Sequence, residues 1–180
     1  MLFNTHKKSK GFTLVEIIVA MVALAISMSV ILSLIVPAEQ QSADQLHQIK
    51  AAELGQSMLD EILGRAFDDN SDMVGGHWRC DEEGRPACTD EGDFGPDLDE
   101  LTTDRNSFDD VDDYHGFEEQ VNATNDTLDS GYDSFSIAID VQYKGLELNL
   151  ANNKLAKRIT VTITTPLGSA ISFSAYKSNF

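Results

Sequence analysis

The first strong pattern is an almost wholly apolar run, Leu14 to Val36, in which Glu16 is the single charge among 23 residues. At about 1.5 Å rise per residue, a helix of that length covers the roughly 30 Å hydrocarbon core of a bilayer with some tilt to spare. Beyond Pro37 the apolar positions narrow to a stripe. Leu46, Ile49, Ala52, Leu59, Ile62, Leu63 and Phe67 recur near a helical spacing, with Leu54 and Met58 alongside. Gln40, Gln41, Asp44, Gln48, Glu53, Gln56 and Asp60 fill the other side. The pattern predicts one long helix from Phe12 to about Ala66, roughly 80 Å at the helical rise, bent or loosened at Pro37. Its first half suits a membrane or an assembly core, and its second half suits a support for a globular head. Gly55 and Gly64 weaken that second half by about 1 kcal/mol each against alanine.

After Gly131 the period changes to two. Phe135, Ile137, Ile139, Val141 and Tyr143 alternate with polar or small residues, as in a half-buried strand. Ile159, Val161 and Ile163 alternate with threonines and predict a second strand. Pro166-Leu167-Gly168 reads as a turn, and Ile171, Phe173 and Ala175 supply a third strand returning beside it. The expected fold is α+β: a long N-terminal helix, a loop, and an antiparallel meander with one face on the helix. The divisions are 1–11, a basic leader; 12–67, the helix, with a membrane-spanning part at about 14–36; 68–131, the loop; and 132–180, the sheet.

Charge alters this picture most in the loop. The stretch Asp68 to Ser130 holds 21 acidic residues against three basic ones, Arg79, Arg85 and Arg105, within a chain of net charge −17. Such a surface repels phosphate backbones, so nucleic acid is not an expected partner. Gly75-Gly76, Arg85-Pro86 and Gly95-Pro96 mark turns, and little periodicity is visible, so the segment is expected to lie over the head as a long solvated loop. Neither a Walker-type loop nor a G-x-G-x-x-G occurs.

At the other end, Lys7, Lys8 and Lys10 precede the apolar run and should stay cytoplasmic, which places everything after Val36 outside the cytoplasm. A removable secretory signal fits less well. Its apolar region is usually only about 7 to 15 residues long and ends in an A-x-A-like site, whereas Pro37-Ala38-Glu39-Gln40 follows here. An ionised Glu16 in hydrocarbon costs several kcal/mol unless it lies near the interface or meets a cation. A cut just before Phe12 would create an amino group suited to that purpose.

Lys10-Gly11-Phe12-Thr13-Leu14-Val15-Glu16, followed by the apolar run, resembles the class III signal of type IV pilins and type II secretion pseudopilins. The resemblance implies cleavage between Gly11 and Phe12 by a prepilin peptidase and N-methylation of Phe12. It also implies pairing of Glu16 with the terminal amine of a neighbouring subunit, which sets the register of packed helices. The implied partners are other pilin subunits, the inner-membrane assembly machinery, the peptidase and the membrane. The implied location is a single-pass inner-membrane protein with a periplasmic head, and later a pilus. The phrase Asp110-Val111-Asp112-Asp113-Tyr114-His115-Gly116 resembles a segment of minor pilins of the mannose-sensitive haemagglutinin (MSHA) pilus.

With the head outside the cytoplasm, Cys80 and Cys88 are expected to form a disulfide, since their spacing is not that of a zinc site. Asp109, Asp110, Asp112 and Asp113 are the weak candidates for calcium. Counting back from Gly116 puts Val111 at position one of an EF-hand, so that template fails, and no resident cofactor is expected. His47, His77 and His115 fit no hydrolase or metalloprotease spacing, so no enzymatic activity is expected. The sequons at Asn122 and Asn125 are expected to be coincidental. Two other classes remain: a minor pseudopilin of a type II secretion system, and a membrane-anchored periplasmic calcium-binding or enzymatic module.

Overall fold

The computed structural model describes residues 11–72, 78–102, 104–119, 132 and 134–179, with the side chains of 34, 36–42 and 119 outside that description. Residues 1–10 of the leader, Gly75-Gly76, His77 and both sequons therefore lie outside the described residues. The chain divides into two compact units, Met1–Asp44 and Gln45–Phe180.

Helix α1 spans Leu14–Leu63 and is assigned continuously through Pro37. It stops short of the expected 66–67. The Gly64 amide donates to both Asp60 and Glu61 carbonyls, and Arg65 to that of Ile62, which tightens the final turn. Ala66 then donates to the Asp109 carbonyl and forms a parallel bridge with Asp110, so the chain leaves the helix to pair with the loop. The last helical carbonyl is satisfied from a distance: Lys177 Nζ donates to Leu63 O at 3.0 Å and also to Arg65 O. A cation at that end also complements the helix dipole.

The sheet is a four-stranded antiparallel meander in the order β1-β2-β3-β4. The strands are β1 Glu118–Glu119, β2 Ser136–Tyr143, β3 Ala156–Thr164 and β4 Ala170–Ser178. The three strands expected from alternation are all present, and β1 is an addition. Register aligns the inward side chains into rows: Ile137–Ile163–Ile171, Ile139–Val161–Phe173 and Val141–Ile159–Ala175. A fourth row, Tyr143–Lys157–Lys177, puts two lysines where the pattern calls for apolar groups. The outer face is polar, with Thr160 against Ser174 and Thr162 against Ser172 at hydrogen-bonding distance.

The inward stripe overlaps the expected one at Leu54, Met58, Leu59, Ile62 and Phe67 but is rotated away from its other members. Ala51, Leu54, Met58 and Ile62 are buried, with Leu59 at 6 % exposure, whereas Leu46 and Ile49 are 55 % and 66 % exposed and Ala52 is also exposed. Leu63 sits at 36 %. Leu46, Ala52 and Leu63 lie roughly a third of a turn from the stripe the sheet covers, and Ile49 roughly half a turn from it. Hydrophobic count alone does not choose between neighbouring stripes. The spacing 51, 54, 58, 62 is the one that meets the three apolar rows.

Gly55 belongs to this packing rather than weakening it. A Cβ built there would lie 2.4 Å from the Phe173 ring, so the missing side chain lets β4 approach the helix. Gly55→Ala is therefore expected to destabilise the head by about 1–3 kcal/mol through overpacking. Helix propensity alone predicts a gain of about 1 kcal/mol. The sign of the shift in thermal unfolding distinguishes the two effects.

The expected solvated loop is corrected over its described part. Phe108, Val111, Tyr114 and Phe117, at every third position, are all in the core, and residues 112–114 form a 3-10 turn. Phe108 stacks edge-on to Tyr114 and Phe117, with ring centroids 5.1 and 6.1 Å apart. Each fully buried side chain of this kind contributes about 1.5–3 kcal/mol, enough to hold an acidic segment against the sheet. The Cys80–Cys88 disulfide is present and buried.

Candidate functional sites

In the N-terminal unit, residues 11–13 precede the helix and Thr13 caps it. Its Oγ1 accepts the Glu16 amide at 3.3 Å, and its carbonyl accepts that of Ile17 at 3.2 Å. Thr13-Leu14-Val15-Glu16 thus has the spacing of a capping box, with Glu16 at the third helical position, where a carboxylate suits the positive end of the dipole. The signal was visible as a threonine three residues before a glutamate, beside the interfacial and intermolecular roles expected of Glu16. Phe12 is 80 % exposed, and Leu14–Ser33 has mean hydropathy 2.6 with none of it buried. This is the one helix among the described residues long and apolar enough to cross a membrane. Ser27 and Ser33 turn their hydroxyls back to the carbonyls of Ala23 and Val30, each at 2.8 Å, so these polar groups need no outside partner.

In the head, Lys157 is fully buried and was missed. It shares strand parity with Ile159, Val161 and Ile163, and that alternation was the available signal. Its Nζ donates to the Phe67 carbonyl at 2.5 Å and to Asp112 Oδ1, and lies 3.4 Å from Asp68 Oδ2. Asp68, also unforeseen, is 0 % exposed and accepts the amides of Asn70 and Thr89 at 3.0 and 2.9 Å. Tyr143 donates its hydroxyl to the Thr89 carbonyl at 2.8 Å.

The four aspartates proposed for calcium do not form one site. Asp110 accepts the amides of Asp69 and Asp112, each at 2.7 Å, and that of Asp113 at 3.3 Å. Asp113 accepts those of Asp109 and Asp110 at 3.0 and 2.9 Å. Asp112 faces Lys157, and only Asp109 is exposed. These acids cap backbone amides of their own loop, which is why an acidic run can be buried. The carboxylates of Glu100, Asp109 and Asp113 come within 4.8 Å of one another and are those a hard cation could bridge. Their oxygens already accept amides: Glu100 takes those of Asp97 and Asp109, and Asp113 takes two. Asp68 also lies within that range of Cys80 and Cys88, whose sulfurs are committed to the disulfide.

Burial, followed by the hydrogen bond and charge of Asp112, pushes the Asp110 carboxyl up to about 8. Burial and then the Asp110 charge push Asp113 up to about 8. The hydrogen bond with Asp97, ahead of burial, raises Asp69 to about 9. A carboxyl whose folded pKa is raised holds its proton more tightly folded than unfolded. Its contribution is therefore complete below about pH 4 and is lost as pH rises through its folded value. We expect the head to melt at a higher temperature at pH 5 than at pH 9, with little further change above that. Asp110→Asn should flatten the profile in thermal scans across this range.

A second polar network joins helix and loop. Arg105, 1 % exposed, places Nε 2.9 Å from Glu61 Oε1, and Nη1 donates to Met58 Sδ at 3.4 Å. The Nε contact has ion-pair distance without hydrogen-bond alignment, so it is a charge contact, and Nη2 has no hydrogen-bond partner among the described residues. Tyr114 donates to Glu61 at 3.0 Å and accepts from Arg65 Nε at 3.2 Å.

A family model described as the prokaryotic N-terminal methylation motif matches residues 6–32. That stretch is therefore a type IV pilin-like prepilin signal, and such a signal implies processing by a prepilin peptidase and assembly with pilins and membrane machinery. No curated protein and no solved structure matches the chain.

Proposed function

We propose that the protein is a minor type IV pilin of the MSHA kind, assembled through its N-terminal helix into a pilus or its initiating tip complex. It supports pilus biogenesis and surface adhesion. The observation that carries the reading is the prepilin signal leading into an apolar helix with no cover of its own and a single acid, Glu16, on its capped first turn. Cleavage after Gly11 frees the Phe12 amine, which is then methylated. Glu16 neutralises such an amine on a neighbouring subunit and fixes axial register. The head lies in the periplasm before assembly and on the surface afterwards, and it works by contact rather than catalysis. The MSHA assignment rests on the segment Asp110–Gly116, whose Val111 and Tyr114 are core residues in this fold.

Mass spectrometry of the purified protein tests this reading. The expected N-terminus is N-methyl-Phe12, and an intact Met1 in cells with active prepilin peptidase contradicts it. Recovery with sheared MSHA filaments is expected. Recovery with a type II secretion complex instead makes the chain a minor pseudopilin, which shares the same signal.

A further inference from the structure

We propose that Lys157 and Asp112 become joined by an intramolecular amide bond, formed within the folded head with loss of one water. The two side chains touch: Lys157 Nζ donates to Asp112 Oδ1, and the residues are 0 % and 4 % exposed. The amine is walled in by aromatic rings, with the centroids of Phe67, Phe94 and Tyr143 at 4.6, 5.1 and 5.5 Å. A buried nucleophile held against its carbonyl reacts at a very high effective concentration. Walls that exclude water slow the reverse hydrolysis. Amide formation also removes two opposite charges from a site where burying them is costly.

Two further carboxyls supply the proton handling. Asp68 Oδ2 lies 3.4 Å from Nζ on its other side, and the Asp110 carboxyl is hydrogen-bonded to that of Asp112. Two adjacent acids so joined hold one proton between them. The raised Asp110 value agrees with a retained proton.

The Lys157 ammonium gives one proton to Asp68, and the neutral amine attacks Cγ of Asp112, which carries the shared proton. A tetrahedral adduct forms. Asp110 takes a proton from the nitrogen, and Asp68 returns its own to the departing hydroxyl. The C–O bond breaks, the carbonyl re-forms, and water leaves. One ammonium and one carboxylic acid become an amide and water, with the extra proton on Asp110. No oxidant, metal or other reactant is needed.

The test is a tryptic digest of the full-length purified protein after reduction, read by mass spectrometry. It is independent of N-terminal processing and of the pilin reading. We expect Lys157 to resist cleavage and the peptide 106–144 to appear linked to 155–158, one water lighter than their sum. Asp112→Asn should give the same linked product, now by loss of ammonia, because an amide carbonyl can be attacked in the same place. Asp68→Asn should reduce the linked form from the main species to a minor one, and Lys157→Arg should abolish it. Wild-type protein that yields only the two separate peptides, cut after Lys157, overturns the proposal and leaves a buried ion pair.

Discussion

Glu16→Ala is expected to leave a chain that still enters the membrane but joins filaments roughly tenfold less often, or worse. Removing the charge makes Leu14–Ser33 more apolar, so insertion does not suffer. Thr13 remains to cap the first turn. What is lost is the partner of the Phe12 amine. A lone ammonium carried into a packed apolar environment costs several kcal/mol, and about 1.4 kcal/mol already amounts to a tenfold change in an equilibrium. Comparing sheared filaments with inner membranes on the same blot measures the ratio. Glu16→Gln keeps the shape and hydrogen-bonding capacity of the side chain while removing its charge. Filament entry by that variant at the parent level would falsify the electrostatic role.

Arg105→Ala is expected to lower head stability by about 3–5 kcal/mol, combining a cavity with a stranded carboxylate. Arg105 is among the largest fully buried side chains and provides the cation beside Glu61. On the usual scaling for a domain of this size, the melting temperature falls by roughly ten degrees or more. Arg105→Met combined with Glu61→Gln should recover much of the loss, because the cavity is filled and no charge is left behind. Circular-dichroism melts of the detergent-solubilised chain provide both numbers. Equal losses in the single and double variants would mean that neither the cavity nor the stranded carboxylate accounts for the effect.

The sheet was legible because its alternation is strict. Each inward residue from Phe135 to Tyr143 is buried, and Ile159, Val161 and Ile163 fall on the same face. The identical rule placed Lys157 inward, but a lysine at such a position is ordinarily read as the point where a strand emerges into solvent. The helix was legible as a helix and only in part as a surface, since Leu54, Met58, Leu59, Ile62 and Phe67 are buried as expected. Leu46 and Ile49 are apolar but exposed in this chain. Periodicity does not reveal whether a stripe is covered by its own sheet or by another molecule. In the acidic segment, Phe108, Val111, Tyr114 and Phe117 recur every third residue, which was a readable signal for a packed 3-10 turn. The density of aspartates obscured it. Asp68 and Asp110 accept amides two or three residues on, but their burial and that of Asp112 also depend on Asp69, Thr89 and Lys157 from far along the chain, and no local pattern encodes those partners.

Lys177 and Asn179 have a consequence for timing. Lys177 anchors the end of α1, while Asn179 receives the Ser71 hydroxyl and donates to the Cys80 carbonyl. A ribosome releases both after every element they fasten. Until they emerge, the growing chain holds its acidic half unlatched, so the contacts that cover the Cys80–Cys88 disulfide are among the last the chain can make.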